Sequence, residues 1–304
     1  MEEYIPFSYV QHLAFLEGFQ DSGAAKAEKL PSDFFSSYLN HNYYASMSFL
    51  QRNIDIRLNP SLLLPSAKSV FVFLLSYNTD LKPDFPLKIA SYALLNDYHK
   101  LIKSKLYTIA SRICEKYPDF KFKICVDSVP IFEKIWANKA LSGSIGKNSL
   151  FISKDFGSKV LLGEIICNFS TDYTQQDDIN LCNDCTLCID SCPNNAILPD
   201  KTIDSSKCIA YHTKINKDSI PDNIDLWNYI FGCDICLDVC PHNYKTFVNT
   251  NADIQPQKAV LDLLNKVSEN SMTDSDLRKA KKCSGLENIK FEKLLSNIQK
   301  AKNH

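Results

Sequence analysis

The sequence predicts an α+β chain: a mixed helix-and-sheet domain, then a cysteine-rich block, then a helical C-terminal tail. Two observations carry that expectation. Up to about residue 170, short β-rich runs stand between segments whose apolar residues recur at helical spacing. Beyond it, eight of the chain's 12 cysteines fall between Cys182 and Cys240. The expected domains are 1–172, 173–248 and 249–304. A chain of 304 residues allows about two domains and a core that needs no disulfide staples.

Pro6 to Glu17 and Tyr43 to Leu50 read as helical, so the first 60 residues are expected to be helices. Ser69 to Tyr77 (SVFVFLLSY) is most simply a buried strand. Ala90 to Lys116 has a helical stripe through Tyr98, Leu101, Ile102, Leu106 and Ile109. Phe120 to Ser128 alternates polar and apolar residues, a half-buried strand ending at Asp127. Glu133 to Ala140 reads as a helix, followed by a glycine-bearing turn and strands at Ser149 to Ser153 and Lys159 to Asn168. Thr171 to Asn180 is polar and aperiodic, a linker. Ala259 to Val267 and Phe291 to Ala301 are the clearest tail helices.

Composition narrows the function. A net charge of -1 excludes a uniformly basic nucleic-acid binder but not a local basic patch. Arg278 to Lys302 is such a patch, with eight basic and two acidic residues. The longest apolar run, Val70 to Leu75, is far short of the roughly 18 residues of a membrane span. No signal peptide is evident at the N-terminus, so a cytosolic protein is expected. In that reducing compartment, clustered cysteines point to metal or redox chemistry rather than disulfides.

Cys182, Cys185, Cys188, Cys192 and Pro193 fit C-x₂-C-x₂-C-x₃-C-P, the bacterial ferredoxin run for 4Fe–4S clusters, whose fourth cysteine ligates a second cluster. Cys233, Cys236, Cys240 and Pro241 form a second run one cysteine short, and Cys208 is the spare nearby. Crossed ligation assigns Cys182, Cys185, Cys188 and Cys240 to one cluster, and Cys192, Cys208, Cys233 and Cys236 to the other. The competing reading is a pair of Cys₄ zinc sites, which usually use two C-x₂-C pairs. Cys114, Cys125, Cys167 and Cys283 read as small buried apolar residues. Gly143 to Asn148 is faintly like a phosphate loop, and a plain turn between helix and strand is the simpler reading.

Four further pieces occur in order: Val126-Asp127-Ser128, Glu133 to Ala137, Ile145-Gly146-Lys147-Asn148, and Gly157 to Ile165. With the cysteine block, Cys240-Pro241-His242-Asn243, Arg57, Leu64 to Val70 and Asp97-Tyr98-His99, they resemble the epoxyqueuosine reductases, cobalamin-dependent iron–sulfur enzymes of tRNA modification. The resemblance spans roughly residues 45 to 245. It implies a nitroreductase-like domain that holds cobalamin, with the two clusters delivering electrons to it. The implied substrate is epoxyqueuosine at the wobble position of tRNA, reduced by two electrons with loss of water to queuosine. An unidentified electron donor and a monomeric state complete the expectation. Asp127 matches the family's proton donor, and burial beside the corrin is expected to raise its pKa. Arg57, Tyr98, Ile145, Gly146, Lys147 and Asn148 match cobalamin-contacting regions. The chain departs from the family at Leu141-Ser142-Gly143-Ser144, where relatives read Gly-Leu-Gly-Trp, and at His242, where many carry tryptophan. For single residues the plainer readings are a turn cap for Asp127, a structural histidine for His99, and packing beside a cluster for His242. The competing functions are a reductive dehalogenase, which typically has a twin-arginine signal absent here, and a dicluster electron-transfer protein.

Overall fold

The computed structural model describes residues 4–79, 84–174, 179–244, 246–282, 284–286 and 289–302. Cys283, Glu287 and residues 175–178 of the expected linker lie outside them. In chain order the regular elements are α1 (Phe7–Leu16), β1 (Asp21–Lys26), α2 (Asp33–Asn40), α3 (Ile54–Leu58), β2 (Ser69–Ser76), β3 (Lys88–Ile89) and α4 (Tyr98–Lys116). Next come β4 (Phe122–Cys125), α5 (Glu133–Ala140), β5 (Gly143–Ile145), β6 (Phe151–Ser153) and β7 (Val160–Cys167). The remainder is α6 (Leu187–Asp190), α7 (Ile209–Lys214), β8 (Tyr229–Phe231), α8 (Ile235–Asp238), α9 (Lys258–Ser268), α10 (Asp274–Lys282) and α11 (Phe291–Lys302).

The main sheet is antiparallel, in the order β1-β2-β7-β4. Every residue of β2 is buried, because helices cover both faces of the sheet. Phe71, Phe73, Leu75 and Ile165 pack with α1 and α4 on one face. Val70, Val72, Leu74 and Ile166 pack with Trp136, Ala137 and Ala140 of α5 on the other. Helix α4 starts where the Asp97 side chain accepts the His99 N–H. It lies close over β7 because Gly163 has no side chain; a Cβ there would sit 2.6 Å from Ile102 Cγ2. That close packing sets the first turn of α4 beside the end of β4.

Three expectations are corrected. Asp21–Lys26 is a strand, not helix: Asp-Ser-Gly-Ala-Ala-Lys lacks β-branched and aromatic residues, and only pairing with β2 makes it extended. Tyr43 to Leu50 is a series of turns ending in one 3₁₀ turn, Ser48–Leu50. The helix expected from Ala90 begins only at Tyr98, after a separate 3₁₀ turn at Ser91–Leu94. The Gly143 segment is the first strand of a β5–β6 hairpin, closed by a turn in which Gly146 N–H donates to Leu150 O.

Packing runs across the expected domain limits. Leu87 to Leu94, residues 209–231 and the apolar faces of α9, α10 and α11 share one core. Asn297 of α11, fully buried, donates to Thr213 O and Ile230 O at 3.0 and 2.9 Å, so the tail is fastened to the cysteine block. Among the described residues, no helix is long and apolar enough to cross a membrane.

Candidate active site and cysteine centre

Beyond β4 the chain turns at Asp127, which has φ +54°, a left-handed conformation that few non-glycine residues adopt. Its N–H donates to Glu133 Oε1 in the first turn of α5. Its carboxylate Oδ2 lies 2.9 Å from His99 Nε2 and accepts from Tyr98 OH at 3.1 Å. His99 Nδ1 in turn lies 2.8 Å from Asp97 Oδ1. An imidazole with a carboxylate at each nitrogen is favoured as the cation. The hydrogen bond to Asp127 therefore raises the His99 pKa, with Asp97 adding to it. The same hydrogen bond holds the Asp127 carboxyl below its ordinary range. The Asp127 side chain is 59% exposed, and its donors outweigh desolvation. The proton of the pair rests on His99.

Two more acids lie beneath. Burial pushes the Glu133 carboxyl up to about 7. Glu164, on β7, is fully buried, and neither of its oxygens has a partner among the described residues. Burial drives its pKa well above the ordinary value, with Glu133 and Asp127 adding to the effect. Sequence reasoning read His99 as a structural histidine and assigned no role to Glu133 or Glu164. The available signal for Glu164 was one charged residue in an otherwise apolar strand.

The expected cofactor contacts divide. Ile145 lines a cavity of about 520 Å³ with Ile131, Phe132, Glu133, Ser149 and Thr202. Arg57 is half-buried at the end of α3, and its Nε is buried with no partner among the described residues. Burial lowers its pKa, and Glu133 opposes that shift, so Arg57 and Glu133 are electrostatic neighbours. Tyr98 is engaged with Asp127. Lys147 and Asn148 instead hold the cysteine block: Lys147 Nζ donates to Asn183 O and Cys185 O at 3.0 and 2.9 Å, and Asn148 Nδ2 to Cys236 O at 3.4 Å. Gly146 closes the hairpin turn that presents them.

None of the described cysteines is in a disulfide. Burial raises the Cys188 pKa first, and Cys182, Cys240 and Cys185 raise it further. Cys233 is raised by burial and then by Cys208 and Cys192. Cys236 is raised well above the ordinary value by burial, and then by Cys233, Cys208 and Cys188. These couplings set Cys188 beside Cys182, Cys185 and Cys240, and Cys233 beside Cys208 and Cys192, with Cys236 coupled to both Cys233 and Cys188. Backbone N–H groups point at two of the sulfurs, Lys147 at Cys182 Sγ (3.4 Å) and Ala196 at Cys192 Sγ (3.3 Å). Among the described residues, no three His, Cys, Asp or Glu converge closely enough for a single metal ion. Cys240 is carried in by Asn243, which accepts the Ser158 N–H and donates to Ser158 Oγ. That contact requires Gly157, at φ +68°, where a Cβ would lie 2.5 Å from His242 O. His242 Nε2 sits 2.8 Å from Leu181 O at the mouth of the first run. Of the scattered cysteines, Cys125 and Cys167 are buried and Cys114 is half-buried.

Residues 181–243 match the family described as 4Fe-4S double cluster binding domain, and residues 57–128 match Epoxyqueuosine reductase QueG, DUF1730. A curated epoxyqueuosine reductase from Cyclobacterium marinum is 37% identical over 293 residues, 94% of this chain and 93% of that protein. The chain belongs to the epoxyqueuosine reductase family. Another epoxyqueuosine reductase, from Leadbetterella byssophila, is 37% identical over 288 residues, 92% of this chain and 93% of its own. The solved epoxyqueuosine reductase of Streptococcus thermophilus is 26% identical, with a TM-score of 0.80 over 97% of this chain and 80% of that one. A further solved epoxyqueuosine reductase, with an epoxyqueuosine-modified tRNA-Tyr stem loop, shares the fold at 20% identity and a TM-score of 0.74, over 97% of this chain and 98% of that one. As a member of the epoxyqueuosine reductase family the chain is an oxidoreductase, and its cysteine block is a 4Fe–4S double-cluster domain.

Proposed function

We propose that the protein reduces epoxyqueuosine to queuosine at the tRNA wobble position, using cobalamin and two 4Fe–4S clusters. It acts as a cytosolic monomer, with residues 1–172 as a nitroreductase-like catalytic domain, 173–248 as the cluster domain and 249–304 as a tail. The observation that carries this reading is the Asp97–His99–Asp127 arrangement, an exposed proton store in the same chain as eight grouped thiols. Removing an epoxide oxygen as water consumes two electrons and two protons, so the site needs both functions. The tRNA stem loop held by a relative supports the choice of substrate.

The residues fit the groups assigned to them. Each group of four thiols supplies the ligand set of one cluster, and the Lys147 and Ala196 N–H groups stabilise negative charge on sulfur. A corrin is an apolar ring with a polar amide rim. The walls formed by Ile131, Phe132 and Ile145 suit the ring. Cobalamin, when bound, supplies electrons to the epoxide carbon. His99 and Asp127 hold one proton where the epoxide oxygen must collect it, Tyr98 OH fixes the Asp127 carboxylate, and Asp97 fixes the imidazole.

The test is anaerobic incubation of cluster-loaded protein with epoxyqueuosine-containing tRNA, cobalamin and a chemical reductant. Queuosine should appear only when all are present. Fully loaded protein that forms none would refute the assignment, and a protein that takes up no cobalamin by absorption spectrum would be an electron carrier instead.

A further inference from the structure

The Asp127 turn has an unusual support. Its backbone is left-handed and its side chain is largely exposed, although Val126 beside it is buried in the core. Ser128 N–H folds back on Val126 O, which makes the turn tight. Besides the His99 and Tyr98 bonds to its side chain, the Asp127 N–H bond to Glu133 Oε1 ties the backbone of the turn to the body of the protein. Glu133 stands on α5, whose Trp136, Ala137 and Ala140 are buried against the sheet, so the acceptor is rigidly placed.

We infer that Glu133 is a positioning residue: its carboxylate latches the Asp127 turn so that Asp127 meets His99 and Tyr98, and protonation releases it. The inference deepens the proposed function, resting on Asp127 as part of the reaction's acid. A charge-assisted hydrogen bond is roughly twice as strong as a neutral one, so the protonation state of Glu133 decides how firmly the turn is held. The groups facing Glu133 are Arg57 from α3, Tyr98 and His99 from α4, Cys125 from β4, Glu164 from β7, Lys134 on its own helix, and Asp127 itself. Burial dominates among them and brings the carboxyl up to about 7, where both forms are populated at neutral pH. The latch is therefore set above that value and is lost as pH falls through it. The His99 proton behaves in the opposite sense, being lost as pH rises through its elevated pKa.

Hydrogen exchange of the Asp127 amide in the full-length protein tests this without reference to turnover. Relative to the intrinsic exchange rate, protection should be about fivefold lower at about pH 6 than at about pH 8. Glu133→Gln keeps an acceptor oxygen but cannot titrate, so its protection should be low and flat with pH. Glu133→Asp, too short to reach, should lose protection at both ends. The pH dependence should persist in His99→Gln, which assigns it to Glu133. Flat protection in the wild type, an unchanged pH dependence in Glu133→Gln, or its loss in His99→Gln would overturn the inference. Full activity of Asp127→Asn would instead overturn the acid role of Asp127 and leave the exchange result standing.

Discussion

At Asp127, the number and placement of donors decide the chemistry. A carboxyl 59% exposed and bonded to an imidazole and a phenol stays ionised, and its partner His99 keeps the proton. The acid form is thus present below the raised His99 pKa and disappears as pH rises through it. The kcat/KM profile should accordingly carry an alkaline limb above the ordinary histidine value of about 6.5. His99→Gln should abolish that limb and lower turnover by about 10²-fold, the lower end of the usual contribution of a general acid. Asp127→Asn removes the charge that holds the imidazolium and should cost at least as much, with cluster content unchanged. Single-turnover formation of queuosine by loading-checked variants measures both. Near-normal rates in the two would place the acid elsewhere.

At the scale of elements, legibility followed the source of the signal. Strand β2 and helices α4, α5, α9 and α11 could be read because their apolar spacing is written locally. Strand β1 could not: Asp21–Lys26 is extended only because β2 offers it an edge. The cysteine runs were legible as motifs, since Cys-x-x-Cys spacing is local too. The His99–Asp127 contact joins residues 28 apart, and the two roles of the Ile145–Asn148 turn depend on segments up to 88 positions away, so neither was legible. Gly23 makes the point testable. A Cβ there would lie 1.9 Å from Ala140 O, inside the backbone of α5, so neither β1 nor α5 can yield without parting from the sheet. Gly23→Ala should destabilise the protein by about 3 kcal/mol, the upper range for overpacking. Chemical denaturation should show a lower midpoint at an unchanged m value; an unmoved midpoint would mean that β1 is not load-sharing with α5.

At the scale of the whole molecule, the cysteine groups and the basic tail make separate demands. Eight thiols in two sets should hold roughly eight irons with matching sulfide in anaerobically prepared protein. Cys208→Ala, which breaks one set, should lose about half; stoichiometric zinc without iron would sink the cluster assignment. Within the tail, Arg278 to Lys302 carries eight basic residues against two acidic, which stands out in a chain of net charge -1. Several are already committed to the fold. Arg278 pairs with Asp274, Lys300 with Asp222, Lys281 Nζ donates to Ile289 O, and Lys302 to Asn270. Removing those would confound RNA binding with stability. Lys282 and Lys290 are exposed, and they are the ones to neutralise together. Each phosphate they contact releases counterions, so log affinity for tRNA should fall with log salt by about 0.7–0.9 per contact. If both touch the backbone, the double variant should flatten that slope by about 1.5, with an unchanged thermal midpoint. An unchanged slope would show that this face of the tail is solvated and that the RNA is held elsewhere.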